Sequence, residues 1–459
     1  MKSQCFNDKS SLSRRSFLCA TGGSLFLSAC GHKDHKYILA GTRINVFSSG
    51  AGLMVDMDDH TPITISPPIT ETKWMLEGRV PSHASIHSAI GGVRKQWSCR
   101  IGSGNFEPSF LSYVALGSKG RGIINTTPVV ENNRFYTVDA IGKVTAFDWR
   151  TQKIIWRMDP RKKGSKSSNL GGGIGLTDEA LYVVDGVAET LKLDKHTGKI
   201  IWRVNVGTPG RSAPTIVNNQ VFFGTINGSL FCLDTKTGNQ IWSYQTDNVQ
   251  TKIFGQPAPA YYDGIIVAGF GSGDLVALRA ETGEEIWTDT LGKGGRDSST
   301  DFNAVSALPV IVDGTVYAIS VGSVLVAMDV RSGRRLWERE AAGQNALVIN
   351  QDWLFVLSLD QQLACLDRIT GRVRWVTQLR RFKKIKKSKG PIAWYGPFLG
   401  GGQLICISDC FENGIITVDP ATGKVTKIIK TDIVPAFAPL IVNKHLLVVG
   451  QDGKLTAFG

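Results

Sequence analysis

Aspartate, histidine and cysteine are the side chains here that could act on a substrate or hold a metal, and their spacing decides which chemistry is open to each. Asp148, Asp194, Asp234, Asp329 and Asp367 each stand eight residues before a tryptophan, and Asp419 stands eight residues before Lys427. A catalytic carboxylate is needed once, so one repeated at every corner of a repeat reads as structural. His83 and His87 are four residues apart, but no cysteine or carboxylate cluster lies beside them. His32, His35 and His60 are scattered through a polar segment, and no metal site is expected. The cysteines include neither an adjacent pair nor a Cys-x-x-Cys. Cys232 and Cys365 stand just before Leu-Asp in equivalent places and read as buried thiols. Cys406 and Cys410 could bond if a turn brings them together, since four residues along one strand exceed disulfide reach. No catalytic residue, metal or cofactor is assigned.

The carboxylates belong to a repeat whose clearest copy is Leu233-Asp234-Thr235-Lys236-Thr237-Gly238-Asn239-Gln240-Ile241-Trp242. Its glycine is kept at Gly198, Gly238, Gly283, Gly333, Gly371 and Gly423, and its tryptophan at Trp156, Trp202, Trp242, Trp287, Trp337 and Trp375. Gln152 replaces the first glycine, Arg279 one aspartate and Lys427 the last tryptophan. Each copy reads as a hairpin corner: the carboxylate accepts from amides of the turn, and glycine supplies the positive φ at which the chain reverses. The tryptophan on the following strand suits the gap between two twisted sheets packed face to face. With an eighth anchor at Gly459, the anchors are 38 to 52 residues apart, and Pro128, Pro214, Pro259, Pro309, Pro397 and Pro439 each open an apolar run upstream. Four strands per unit at this period predict an all-β protein, an eight-bladed propeller of four-stranded antiparallel blades over residues 93–459. The eighth unit ends at its third strand. Arg94 to Arg100, which carries Trp97, is expected to supply the fourth by pairing with Leu455 to Phe458, closing the ring without open edges.

The N-terminus reads as an address. Ser13-Arg14-Arg15-Ser16-Phe17-Leu18 resembles a twin-arginine export signal, and Leu27-Ser28-Ala29-Cys30 resembles a lipobox. Residues 1–29 are expected to be removed and Cys30 to carry a diacyl anchor. The apolar stretch is short of the roughly 20 residues that span a bilayer. A general secretory route using Arg14 and Arg15 as its positive region fits the same residues. Gly31 rather than Asp follows the cysteine, which resembles the enterobacterial sorting pattern for lipoproteins of the outer membrane. Residues 30–92 read as a tether running into an arm laid on the propeller. The chain carries a net charge of +13, and removing residues 1–29, with four cations and one anion, leaves +10. Arg380, Arg381, Lys383, Lys384, Lys386, Lys387 and Lys389 crowd one loop, and Lys162, Lys163 and Lys166 another. Such runs are solvated loops, or on a lipid-anchored protein could rest against anionic headgroups. No nucleic-acid module is recognisable, and nucleic acid is not an expected partner.

The Asp-x-x-Thr-Gly-x-x-x-Trp corners resemble the pyrroloquinoline-quinone-type propeller repeat. With the lipobox, Leu39 to Ile44, and Trp74, Gly78, Pro81, His83 and His87, together with Arg211 to Pro214 and Gly390 to Pro397, the chain resembles the BamB family, in its alphaproteobacterial form. The resemblance implies a non-enzymatic scaffold lipoprotein of the outer-membrane β-barrel assembly machinery, on the periplasmic face of the outer membrane of a Gram-negative bacterium. It implies binding to periplasmic domains of the BamA-like barrel-inserting subunit and assistance to nascent outer-membrane proteins. It places partner contacts at Thr251 to Gly255 and at Arg296 to Ser306, with Ala304 and Ser306 standing where enterobacterial members have acidic residues. Ile253 and Phe254, apolar side chains on a loop, read as the anchors, or else as residues buried between blades. The alternatives are a quinone-dependent dehydrogenase on the same fold and a propeller serving another envelope complex. The former resembles the chain in blade count, but such enzymes carry a vicinal disulfide and a calcium site.

Overall fold

The computed structural model describes residues 53–56, 61–105, 124, 126–161, 171–246, 256–292 and 303–459. All of them belong to one compact unit, Ser49–Gly459. Among the described residues the strands form eight four-stranded antiparallel sheets, one of which gains a fifth strand, and a separate two-stranded hairpin. Blade 3 shows the pattern: Thr215–Val217, Gln220–Gly224, Ser229–Asp234 and Gln240–Gln245 pair in sequence order. The eighth blade comprises Leu440–Val442, His445–Val449 and Lys454–Phe458, and its outer strand is Lys95–Arg100. Lys95 pairs with Phe458 and Trp97 with Ala457, so the two ends of the ring share one sheet.

The corners form as their residues dictate. Asp234 Oδ1 accepts from the amides of Lys236 and Thr237 at 3.0 and 2.7 Å and from the Thr237 hydroxyl at 2.8 Å. Asp194, Asp329 and Asp367 repeat the arrangement. Asp148 accepts from two turn amides, and Asp419 from the amide of Ala421 and the hydroxyl of Thr422. These hydrogen bonds hold the carboxyls of Asp194, Asp234 and Asp329 below their ordinary range. Gln152 takes the glycine's left-handed backbone, at φ +57°.

The tryptophan does more than fill space between sheets. Trp242 Nε1 donates to the carbonyl of Ala280 in the next blade at 2.9 Å, and Trp156, Trp202, Trp287, Trp337 and Trp375 each do the same one blade on. A Cβ on Gly283 would lie 2.6 Å from the Trp242 ring, so the corner glycine leaves room for the indole of the preceding blade. One side chain per repeat thus satisfies its own N–H and locks its neighbour. At the seam, Trp97 instead stacks on Trp149, with ring centroids 6.4 Å apart.

Five of the six prolines stand immediately before a first strand, but Pro397 lies inside Trp394–Gly400, where the register with the next strand slips between Tyr395 and Phe398. Proline has no N–H to give the ladder, so within a strand it sits at an irregularity.

Candidate interaction surface

The first strand of each blade lines the hub, and its inner edge has no strand to pair with. Residues 71–91 meet that need by making one circuit of the hub. The amide of Asn443 in blade 8 donates to Glu71 O. Lys73–Trp74 pairs with Glu131 and Val130 in blade 1, and Leu176 of blade 2 donates to Met75 O at 2.7 Å. Leu76 is buried in the cluster holding Ile216 of blade 3. Tyr261 of blade 4 donates to Pro81 O at 2.8 Å and Ile311 of blade 5 to Ser82 O at 2.9 Å. The Ser85 hydroxyl both accepts from Ile349 N at 2.7 Å and donates to Ile349 O at 2.8 Å in blade 6. Ser88 exchanges main-chain bonds with Leu399 and Gly401 of blade 7, and Gly91 donates to Lys444 O in blade 8. The arm expected on the propeller therefore lies within it, because edge amides around the hub are the donors left to pair.

Above this circuit a cavity of about 380 Å³ is floored by Gly78, His83 and Ile86 and walled by Leu308, Leu347 and Phe437. Its wall residues are those entering first strands, so its mouth lies at the end of the ring that carries the inter-blade connections. Two titratable groups sit at its floor. Burial pushes the Glu77 carboxyl up to about 7, against hydrogen bonds from the Ala258 main chain and the Thr127 side chain. Burial pushes His83 down to about 4, while its Nδ1 lies 2.8 Å from Pro309 O. Arg79 pairs with Glu71 at 2.9 Å and donates to Ala84 O. His87 is spent in the same way, its Nδ1 on Ser66 O and its Nε2 accepting from Gly402 N at 2.8 Å.

The structure separates the expected contact residues. Ser306 lines the cavity. Ala304 is 2% exposed, and its carbonyl accepts from Val321 N, so its methyl group is packed inside the ring and unavailable to a partner. That corrects its reading as a surface contact: a small apolar side chain beside Val305 of the core cluster joining blades 4 and 5 is buried by packing. Ile253, Phe254, Arg296, Arg14, Arg15 and Cys30 lie outside the described residues. Cys406 and Cys410 are both buried free thiols, and Cys232 and Cys365 are buried as their place in the repeat implies. Trp74, Gly78, Pro81, His83 and His87, which carry the family resemblance, all fall in the hub circuit, but nothing in their spacing shows which strands it meets. Its signal was weak alternation in a segment rich in Ser, Pro and His, which reads equally as linker.

Residues 140–377, just over half of the chain, match the model of a family described as outer membrane protein assembly factor BamB. The chain belongs to the BamB family. It is 27% identical over 371 residues to outer membrane protein assembly factor BamB of Yersinia pestis, covering 79% of this chain and 88% of that one. The crystal structure of BamB from Moraxella catarrhalis superposes with a TM-score of 0.63 at 18% identity, covering 80% of this chain and 99% of the other. Quinohemoprotein alcohol dehydrogenase from Comamonas testosteroni gives the same TM-score, 0.63, at 13% identity over 84% of this chain and 80% of its own. Both likenesses show the fold, and equal scores for an assembly factor and an enzyme leave function to the site. A carboxylated redox quinone or a calcium ion asks for several cations or several oxygens converging on one point. Among the described residues of this BamB-family chain no three His, Cys, Asp or Glu converge. Among the described residues lining the cavity, the one guanidinium, that of Arg79, is already paired with Glu71. These residues do not fit such a group.

Proposed function

We propose that this chain is a scaffold lipoprotein of the outer-membrane β-barrel assembly machinery, working by surface rather than by chemistry. Membership of the BamB family carries the reading, and a hub cavity entered from the connection end supports it. The partner is the periplasmic part of a BamA-like barrel-inserting subunit, engaged through the connections that hold Ile253, Phe254 and Arg296, with Ser306 at the inner margin; nascent outer-membrane proteins are the cargo. Export through Arg14 and Arg15 and a lipid on Cys30 would hold the ring at the periplasmic face of the outer membrane. Ile253 and Phe254 are the expected apolar anchors, and a concave apolar mouth is a surface that a protein partner can fill.

Photo-crosslinking tests this in whole cells. A probe at Phe254 or Ser306 is expected to capture the barrel-inserting subunit, and a probe at Thr282, on the opposite end of the ring, is not. Capture from Thr282 alone, or capture of an unrelated envelope complex, would reject the assignment. Calcium-dependent alcohol oxidation by the purified protein would move it to the dehydrogenases.

A further inference from the structure

The connection between blades 6 and 7 forms a hairpin of Phe382–Lys384 and Lys389–Pro391 joined by the 3-10 turn Ile385–Lys387. Its base and its tip differ in how their charges are met. At the base, Arg380 donates to Phe382 O, Lys383 O, Glu412 and Asn413, and Arg381 reaches Asp360 at 3.2 Å. Lys383 pairs with Asp409 at 2.8 Å, and Trp394 Nε1 donates to Arg380 O. Each base cation is thus neutralised by its own carboxylate, and the hairpin is fixed to blade 7. At the tip, Lys384, Lys386, Lys387 and Lys389 are exposed, and among the described residues none has an ion-pair partner. Between them stands Ile385, 67% exposed. Phe411, 55% exposed, stands beside Glu412 and Asn413, which bind Arg380 at the hairpin base.

We propose that this hairpin is a membrane contact, with four lysines on anionic lipid headgroups and Ile385 inserted between them. Charge complementarity names the surface, since four unneutralised cations on one short turn repel one another and gain by meeting a plane of negative charge. The apolar tip distinguishes lipid from an acidic protein. Ile385 stands exposed in the turn at the tip of the hairpin, placed to enter a surface, whereas a protein hot spot is a side chain filling a pocket. A tip that buries one aliphatic side chain while lysine stems reach outward is suited to the headgroup boundary.

Vesicle co-sedimentation of the full-length chain carrying Cys30→Ala, so that no acyl chain contributes, reads the effect directly. With phosphatidylglycerol at about a third of the lipid, the parent is expected to bind more tightly than to phosphatidylcholine alone, and to release at high salt. Each lysine near the surface is worth about five-fold, so K384E/K386E/K387E/K389E is expected to weaken partitioning by at least several hundred-fold. Ile385→Ser is expected to weaken it by roughly three- to ten-fold. An Ile385→Trp variant adds a local reading: brominated lipid should quench its extra fluorescence. Unchanged partitioning in the quadruple variant, whose fold is checked by its melting curve, would overturn the proposal. So would competition by inorganic phosphate at constant ionic strength, or loss of capture on a polyglutamate surface while vesicle binding is kept.

Discussion

Replacing Gly371 by alanine asks whether the corner glycine serves its own turn or the tryptophan of the blade before it. Gly371 sits at φ +70°, and a Cβ there would lie 2.7 Å from Cδ2 and 2.9 Å from Cε3 of Trp337. Holding an L-residue in left-handed backbone costs about 1–2 kcal/mol. Displacing the indole adds about 1–3 kcal/mol, because a packed ring shifts only by straining its surroundings. The ring is tethered besides, its Nε1 donating to Arg368 O at 2.8 Å. Gly371→Ala is therefore expected to cost about 2–5 kcal/mol, a fall in Tm of roughly 2–6 °C for a domain of this size. Gly264→Ala is the control: its φ is +80°, but nothing lies within 4 Å of the new methyl group, so the conformational cost stands alone. Trp337→Leu removes the fused ring that the methyl would strike. In that background Gly371→Ala is expected to cost no more than the control, giving a coupling of at least about 1 kcal/mol in a double-mutant cycle read by urea unfolding. Additive effects of the two substitutions would refute the cross-blade role and leave the glycine to its own turn.

Three further outcomes follow from the hub. Ser85→Ala removes both halves of the exchange with Ile349 and leaves a hub amide unpaired, so unfolding should cost about 1–3 kcal/mol less, with the arm cut earlier in limited proteolysis. The floor of the cavity sets opposed pH slopes. Glu77, raised from 4.5 to about 7, adds stability that is complete below pH 4.5 and lost as the pH rises through 7; His83, lowered from 6.5 to about 4, adds stability that is complete above 6.5 and lost as the pH falls through 4. Unfolding free energy measured against pH should then show the two slopes largely cancelling from pH 4.5 to 6.5. Glu77→Gln should make stability rise with pH there, and His83→Gln should make it fall, each by up to about 1.4 kcal/mol per unit. Ala346→Trp, which fills much of the cavity from its wall, should reduce co-purification of the barrel-inserting subunit while leaving the melting temperature of the ring nearly unchanged.

The blades were legible because each corner is local. Asp234, Thr237 and Gly238 lie within five residues, and the hydrogen bonds that the Asp234 carboxylate accepts from the turn stay inside that window. Closure was legible too, since an orphan tryptophan strand at 94–100 matched the strand missing at the C-terminus. The partner of each tryptophan was not: Trp242 meets Ala280 and Gly283, which are remote in sequence, and a regular repeat hides whether such a side chain faces its own blade or the next. Ala304 was misplaced because alanine carries no signal of exposure, and the packing that buries it belongs to Val305 and to the strands on either side. The arm was least legible. Its main chain and hydroxyls dock it to first strands of six blades and to the Asn443–Lys444 turn of the eighth, with buried Leu76 meeting blade 3, and main-chain acceptors are common to every sequence.

That circuit has a consequence for how the ring is used. A propeller with an open axis offers two mouths, and nothing in the repeat chooses between them. Here residues 71–91 satisfy the inner-edge amides and bury Leu76, His83 and Ser88 at the hub, so the cavity above them has a floor. A partner can seat an apolar side chain in it from one side, the side on which the connections leave and enter the blades. The basic hairpin between blades 6 and 7 is one of those connections, which gives that end of the ring a charged, tip-exposed neighbour to the apolar mouth. The opposite end carries the Asp-x-x-Thr-Gly corners, whose carboxylates are already committed to their own turns. An outward-facing function therefore falls to the connection end by elimination of chemistry as well as by access, and the asymmetry comes from an arm that the repeat itself does not encode.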